Sequence, residues 1–265
     1  MTDQQNVPTD FDQIMSSVAD LNKQHITKLY VPSLNDEINF QPLTVKQQKR
    51  IISSSMDPKT ENLAFSNTVN DIILENCLEK KDKLILTDKI LLLLQLRSRS
   101  MGSRLVVNVD EEEYEVDLAK HIEDVIEVAK THNKHMFEVS VESLKIFGGT
   151  PTLSVDTEYN KEFTKTVGKY SQSKLNLTDM VGDIYIHEMV KYVNNITIGD
   201  SLTIETKDYK ISQAIEVFES LPMSVSVQVA EQIKQLRFVE MKSLENRSLP
   251  SDALIPTDAT LFTTG

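Results

Sequence analysis

The sequence predicts an α+β fold, mostly helical with short antiparallel hairpins, and three observations carry that expectation. Apolar residues recur at intervals of three and four over several stretches, the period of a helix with one buried stripe. Between those stretches lie pairs of short runs in which apolar and polar residues alternate around turn formers, the pattern of a hairpin. Helical stretches alternate with these paired runs rather than with single strands, which disfavours a doubly wound parallel sheet. At 265 residues, 40% of them hydrophobic and 26% charged, the chain has the material for a core without disulfide staples.

Residues 1–27 form a polar leader in which Phe11, Ile14, Met15, Val18 and Leu21 fall at helical spacing, an amphipathic helix that needs a partner surface. Residues 28–150 read as an N-terminal α+β half. It opens with strands at Lys28–Tyr30 and Ile38–Phe40 around Pro32, Ser33, Asn35 and Asp36, all turn formers. Thr44, with Gln47 three residues on, is a capping box that starts a helix reaching about Ser55, and Pro58 marks the loop after it. Phe65, Val69, Ile72, Ile73, Asn76 and Cys77 set the stripe of a second helix. A third begins near Thr87 or Asp88, carries Ile90, Leu91, Leu93, Leu94 and Leu96, and stops at Gly102. The apolar stretch Leu84–Leu96 around it belongs at the centre of the core, and is shorter than the ~20 residues a membrane span requires.

From Leu105 the period becomes two, with Val107 and Val109, then Tyr114, Val116 and Leu118, alternating about Asp110, Glu111 and Glu112 as a second hairpin. Ile122, Val125, Ile126 and Ala129 suit a short helix. Phe137, Val139, Val141, Leu144 and Ile146 read as further strands ending at Gly148, Gly149 and Pro151, where the boundary between halves is placed. Residues 151–245 are the mainly helical half, with helices over Val155–Lys169, Leu177–Val193 (capped by Asn176 or Thr178), Ile211–Leu221 and Val225–Leu244, Pro222 separating the last two. A hairpin of Ile196, Ile198, Leu202 and Ile204 turns at Gly199, Asp200 and Ser201. Residues 246–265, with Pro250 and Pro256 and two late hydrophobes, form an extended docking tail.

Composition bounds the function. With 40 acidic against 28 basic residues, a net charge of -12 and a pI near 4.9, the surface repels phosphate backbones, and nucleic acid is not an expected partner. A single cysteine, Cys77, forms no internal disulfide and suits a reducing compartment. Residues 1–12 hold neither a basic cluster nor an apolar run, so neither a signal nor a transit peptide is expected. Seven glycines are few for loops that cradle phosphates, and no G-x-S-x-G or H-E-x-x-H pattern appears. Composition leans away from catalysis.

Several clusters nonetheless have the residue types for chemistry. His121, His132 and His135 lie near Asp124, Glu127 and Glu138, and two histidines three apart can meet one metal. The neighbouring Asn133 and Lys134 favour a solvated loop instead, and the spacing matches no zinc signature. Cys77 paired with one of these histidines would be a nucleophile, but its place on an apolar stripe is that of a small buried hydrophobe. The run Asp110, Glu111, Glu112, Glu113 lacks the alternating ligands and glycine of an EF-hand and reads as a solvated hairpin tip. Arg97, Arg99 and Arg104 suit either capping of a helix C-terminus or bidentate contact with a partner's carboxylates.

Several stretches together resemble one family. Leu29-Tyr30-Val31-Pro32-Ser33, followed by Ile38 to Lys49 with Pro42-Leu43-Thr44-Val45-Lys46 entering the first helix, resembles the opening of the baseplate hub subunits and hub assembly proteins of T-even-type contractile-tailed phages. Asp88 with Leu91, Leu94, Leu96 and Arg97, then Ser100 and Gly102, is similar to that family's apolar helix with its leucine-arginine step and serine-x-glycine turn. Leu254 to Thr263 resembles its closing hydrophobic strand. Some relatives carry paired cysteines suited to a small metal site. Cys77 stands alone here, so no metal or other cofactor is carried over.

The resemblance implies a non-enzymatic tail protein, a baseplate hub component or assembly factor, located in the virion and, during assembly, in the host cytoplasm. Its partners would be other baseplate and hub proteins, and further copies of itself in a homo-oligomer within the baseplate. Phe11, Ile14, Val18 and Leu21 at one end and Leu254, Ile255, Leu261 and Phe262 at the other would bury apolar area on neighbours, and Arg97, Arg99 and Arg104 would fix orientation. The rival readings are an acidic cytosolic adaptor unrelated to phages and a metal-dependent enzyme built on the histidine cluster.

Overall fold

The computed structural model describes residues 11–55, 61–132, 134–172, 177–199 and 201–262, so the readings at residues 1–10, Pro58, Asn133, Asn176, Asp200 and residues 263–265 lie outside it. The described residues form an α+β arrangement, mostly helical with short antiparallel sheets. Helix α1 (Phe11–Gln24) buries none of its residues. Strands β1 (Thr27–Val31) and β2 (Asp36–Phe40) pair antiparallel, with Leu29 opposite Ile38 and both buried. A short 3-10 turn, Pro32–Leu34, links them, and Asn35 closes it in the left-handed region at φ 46°.

Helix α2 (Val45–Ser54) starts as the sequence predicts. The Thr44 hydroxyl accepts from the Gln47 backbone N–H at 3.2 Å, and the Gln47 side chain accepts from the Thr44 N–H at 3.0 Å, so two otherwise orphaned donors are satisfied. Helix α3 (Glu61–Asn76) packs on α2 and brings Val69, Ile72 and Ile73 into the core. Residues 84 and 85 are extended, and a short 3-10 turn, Leu86–Asp88, precedes the next helix. Residues 84–86 run beside residues 151–153, with Leu86 N–H donating to Pro151 O and Leu153 N–H to Leu84 O.

Helix α4 (Lys89–Met101) is the hub of the core. Every residue from Lys89 to Arg97 is buried, because β1, α3, helix α5 (Leu118–Thr131) and helix α10 (Phe238–Leu244) surround it. Gln95 binds the edge of β1 with both ends of its amide, donating to Tyr30 O at 2.9 Å and accepting from Tyr30 N–H at 3.0 Å. Gly102 ends the helix at φ +91°, a conformation that other residues rarely adopt.

Strands β3 (Arg104–Val109) and β4 (Glu112–Asp117) form the second hairpin, with Asp110 and Glu111 alone in the turn and both at positive φ. Asp117 then caps α5 by accepting from Ala119 N–H at 3.0 Å, and the helix runs through Thr131, longer than its apolar stripe suggests. Strands β5 (Met136–Val141), β6 (Leu144–Gly149), β7 (Val193–Ile198) and β8 (Leu202–Glu205) make a single antiparallel sheet in that order. Helices α6 (Leu153–Gln172) and α7 (Leu177–Val190) lie in sequence between β6 and β7, so the sheet joins strands from both sides of residue 150. Gly148 is required where they meet. A Cβ there would stand 2.2 Å from the Phe137 ring and 2.4 Å from Tyr192 O.

Helices α8 (Ile211–Glu219) and α9 (Met223–Leu236) follow, Pro222 standing just before α9 rather than inside its first turn. The single helix expected over Val225–Leu244 is two. The chain turns at Arg237, whose guanidinium is tied to Glu240 by two 2.8 Å hydrogen bonds, and Leu236 and Val239 both enter the core on either side of the turn.

Candidate partner-binding surfaces

The two ends of the chain behave differently. On α1, Phe11 is 70% exposed, and Ile14, Val18 and Leu21 are exposed with it, as is Met15 on the same stripe. A helix of 14 residues is marginal in water without tertiary support, and this one displays the apolar face that would supply it.

At the other end, Leu254 is exposed, but Ile255, Leu261 and Phe262 are buried in the chain's own core. The expectation that these three meet neighbours is therefore corrected: the tail folds back as an internal strap. Ile255 N–H donates to Leu244 O at 2.8 Å, the Gln48 side-chain amide donates to Phe262 O at 2.9 Å, and Arg97 Nε donates to Leu261 O at 3.2 Å. The same bonds correct the reading of Arg97 as an interface residue. Its guanidinium is buried, donates also to Gly102 O, and needs the tail's carbonyl to satisfy a planar group with five N–H donors. Arg99 and Arg104 point outward, and Arg104 pairs with Glu115 at 2.8 Å across β3 and β4. Both of those partners are exposed, so the pair adds little stability. The three arginines are not brought together.

The histidines do not converge either. His121 is buried with Nε2 2.9 Å from Ser243 O, and exposed His132 stacks on the Phe238 ring at 4.3 Å. Both ring nitrogens of His135 are buried without a hydrogen-bond partner, and burial holds its pKa below the ordinary value. Among the described residues, no group of three His, Cys, Asp or Glu side chains is placed to hold a metal ion. Cys77 is buried, its thiol donates to Glu79 O at 2.8 Å, and burial pushes its pKa up, which disfavours the thiolate. No described helix is long and apolar enough to cross a membrane.

Sequence reasoning missed two buried polar centres. Asp156 on α6 accepts from Lys191 Nζ at 2.8 Å and from the Asn70 amide at 2.8 Å, with Lys89 Nζ 3.9 Å away. Lys89 donates to Ser66 Oγ at 2.7 Å, and Lys191 reaches Glu188 at 2.8 Å. Asp156, Lys89, Ser66, Lys191 and Glu188 line a cleft of roughly 360 Å³ shared with Tyr192, Arg237 and Glu240. Burial alone would raise the Asp156 pKa, but the two ammonium groups and their hydrogen bonds hold it below the ordinary carboxylate value. Burial draws Lys89 down to about 8 despite Asp156. The second centre is Asp88, which accepts from Ser33 N–H, Ser33 Oγ and Ile85 N–H at 2.7 to 2.9 Å, and burial raises its pKa to about 6 against those bonds.

Among the described residues, the apolar stripe of α1 stays exposed while Ile255, Leu261 and Phe262 are covered by the chain itself. The model of a family described as T4 bacteriophage base plate protein matches residues 22–243, and the chain belongs to that family. Membership gives it a bacteriophage tail role in the baseplate, in the company of other baseplate proteins. No curated protein and no solved structure matches the chain.

Proposed function

We propose that this protein belongs to the central baseplate hub, as a subunit or as a factor that builds it, and that it works in the infected host's cytoplasm through protein–protein contacts without catalysing a reaction. The observation that carries the reading is the apolar face of α1, unburied on a chain whose residues 22–243 match a baseplate family. The family match also disfavours an adaptor unrelated to phages. Hub placement is supported by the resemblance of residues 29–49 and 88–102 to hub proteins. A non-catalytic role is supported by the divergent surroundings of His121, His132 and His135 and by the raised thiol of Cys77.

The mechanism is burial. Phe11, Ile14, Met15, Val18 and Leu21 would lie in a groove on a neighbouring hub protein, each contributing about 1.5–3 kcal/mol if fully covered. Quantitative mass spectrometry of purified virions tests the choice between the two roles. Stoichiometric recovery identifies a subunit, and absence from virions whose assembly requires the gene identifies a factor that leaves. Complete baseplates formed without the gene would overturn both.

A further inference from the structure

In a chain of net charge -12, one open groove of roughly 730 Å³ between α2 and α3 is basic. Lys46, Lys49 and Arg50 line it with the hydroxyl-bearing Ser53, Ser54 and Thr68, and none of the described lining residues is acidic. Arg50 is partly neutralised by Glu75, at 2.7 Å beside the groove. Lys46 and Lys49 are exposed and form no ion pair with any other described residue. Lys46, Lys49 and Arg50 recur at intervals of three and four, so one face of α2 presents all three.

The same chain carries a knob of matching charge. At the tip of the β3–β4 hairpin, Asp110, Glu111, Glu112 and Glu113 are consecutive and exposed, and among the described residues the one ion pair to a carboxylate of that hairpin is Arg104 with Glu115. The turn is two residues long, so the tip is a narrow projection. Glu112 accepts from the Tyr114 hydroxyl at 2.7 Å, which fixes one carboxylate near the tip. No ion pair joins tip and groove within one chain among the described residues.

We propose that the acidic β3–β4 tip of one copy seats in the basic α2–α3 groove of a second copy, so that the protein associates head to tail. Such a contact uses two different patches and leaves each copy with one groove and one tip free, and it therefore propagates into a ring or a short filament. Four tip residues in one groove fall well below the roughly 1,200 Å² of a stable standard interface, so the contact is weak and depends on salt. The screening length falls from about 8 Å at 0.15 M to about 3 Å at 1 M salt, which exposed charge pairs do not survive. The inference rests on surface charge alone and stands or falls separately from the hub assignment.

The test uses purified full-length chain, mixed in isotopically heavy and light forms and treated with a zero-length carbodiimide crosslinker. The expected products are heavy–light crosslinks joining Lys46 or Lys49 to residues 110–113, at least about fivefold fewer in 1 M salt. The double variants K46E/K49E and E111K/E113K, all at exposed positions, should each lose these crosslinks while keeping the melting temperature. Mixing the two variants should restore crosslinks, because the native tip of the first meets the native groove of the second and the charge-reversed tip of the second meets the charge-reversed groove of the first. Three results would overturn the proposal: no such crosslinks, crosslinks found only within one chain, or a groove that captures the acidic leader at Asp3, Asp10 or Asp12 instead.

Discussion

Lys191 Nζ and the carboxylate of Asp156 meet at 2.8 Å with both side chains almost wholly buried, 35 positions apart in sequence. The pair links the start of α6 to the residue just after α7, so the two helices inserted between β6 and β7 are fastened at the base of the sheet they interrupt. Asp156→Ala would leave Lys191 and Lys89 buried without their shared counter-ion. The expected cost is about 3–5 kcal/mol in urea unfolding, and Lys89→Met, which keeps the 2.8 Å pair, should cost less than half of that.

Asp88 gives the chain a pH signature of unusual sign. Its folded pKa of about 6 lies above the unfolded value of about 3.9, so the protonated form is favoured by the fold. Its contribution is fully present below the unfolded pKa and is lost as pH rises through about 6, by at most about 3 kcal/mol. The stability difference between the native chain and Asp88→Asn, measured by urea unfolding at pH 4 and pH 7, should therefore shift toward the variant at the higher pH. A constant difference across that range would contradict the assignment.

The tail strap makes a prediction opposite to that for a free docking segment. Truncation after Leu254 removes Ile255, Leu261 and Phe262 from the core, and with them the Leu261 carbonyl that Arg97 binds and the Phe262 carbonyl that Gln48 binds. Each lost apolar side chain is worth about 1.5–3 kcal/mol, and ordering entropy offsets part of the total. A loss of several kcal/mol, read as a large drop in urea midpoint, is expected (on the order of 3 or more). Arg97→Ala alone should lose about 2–4 kcal/mol through the orphaned carbonyls and the void.

The α1 face separates stability from assembly. Val18→Asp with Leu21→Asp changes two exposed residues and should leave stability within about 0.5 kcal/mol, measured by thermal unfolding. Incorporation into baseplates, scored by complementation of a gene-deficient phage, should fall by at least about tenfold, the equivalent of about 1.4 kcal/mol of lost contact. Undiminished incorporation would remove α1 from the interface.

The parts of the fold visible in the sequence were those fixed by near neighbours. Thr44 and Gln47 satisfy each other across one helical turn, Gly102 stops α4 by its own backbone freedom, and the alternation from Leu105 to Leu118 dictates a hairpin without reference to the rest of the chain. The α1 stripe was likewise legible, because a five-residue apolar face on a polar helix declares itself. Burial of Leu261 and Phe262 was also implied by their chemistry, but the surface that covers them was not. Whether a hydrophobe meets its own chain or another depends on partners 164 and 214 positions away, Arg97 and Gln48. The Asp156 centre had no local signal for the same reason: Asn70, Lys89 and Lys191 come from three separate elements.

Because the strap that closes over Arg97 comes from residues far along the sequence from α4, the core is completed only when that stretch docks. A chain in which the strap is undocked exposes a guanidinium and an apolar lining that the folded molecule keeps from water.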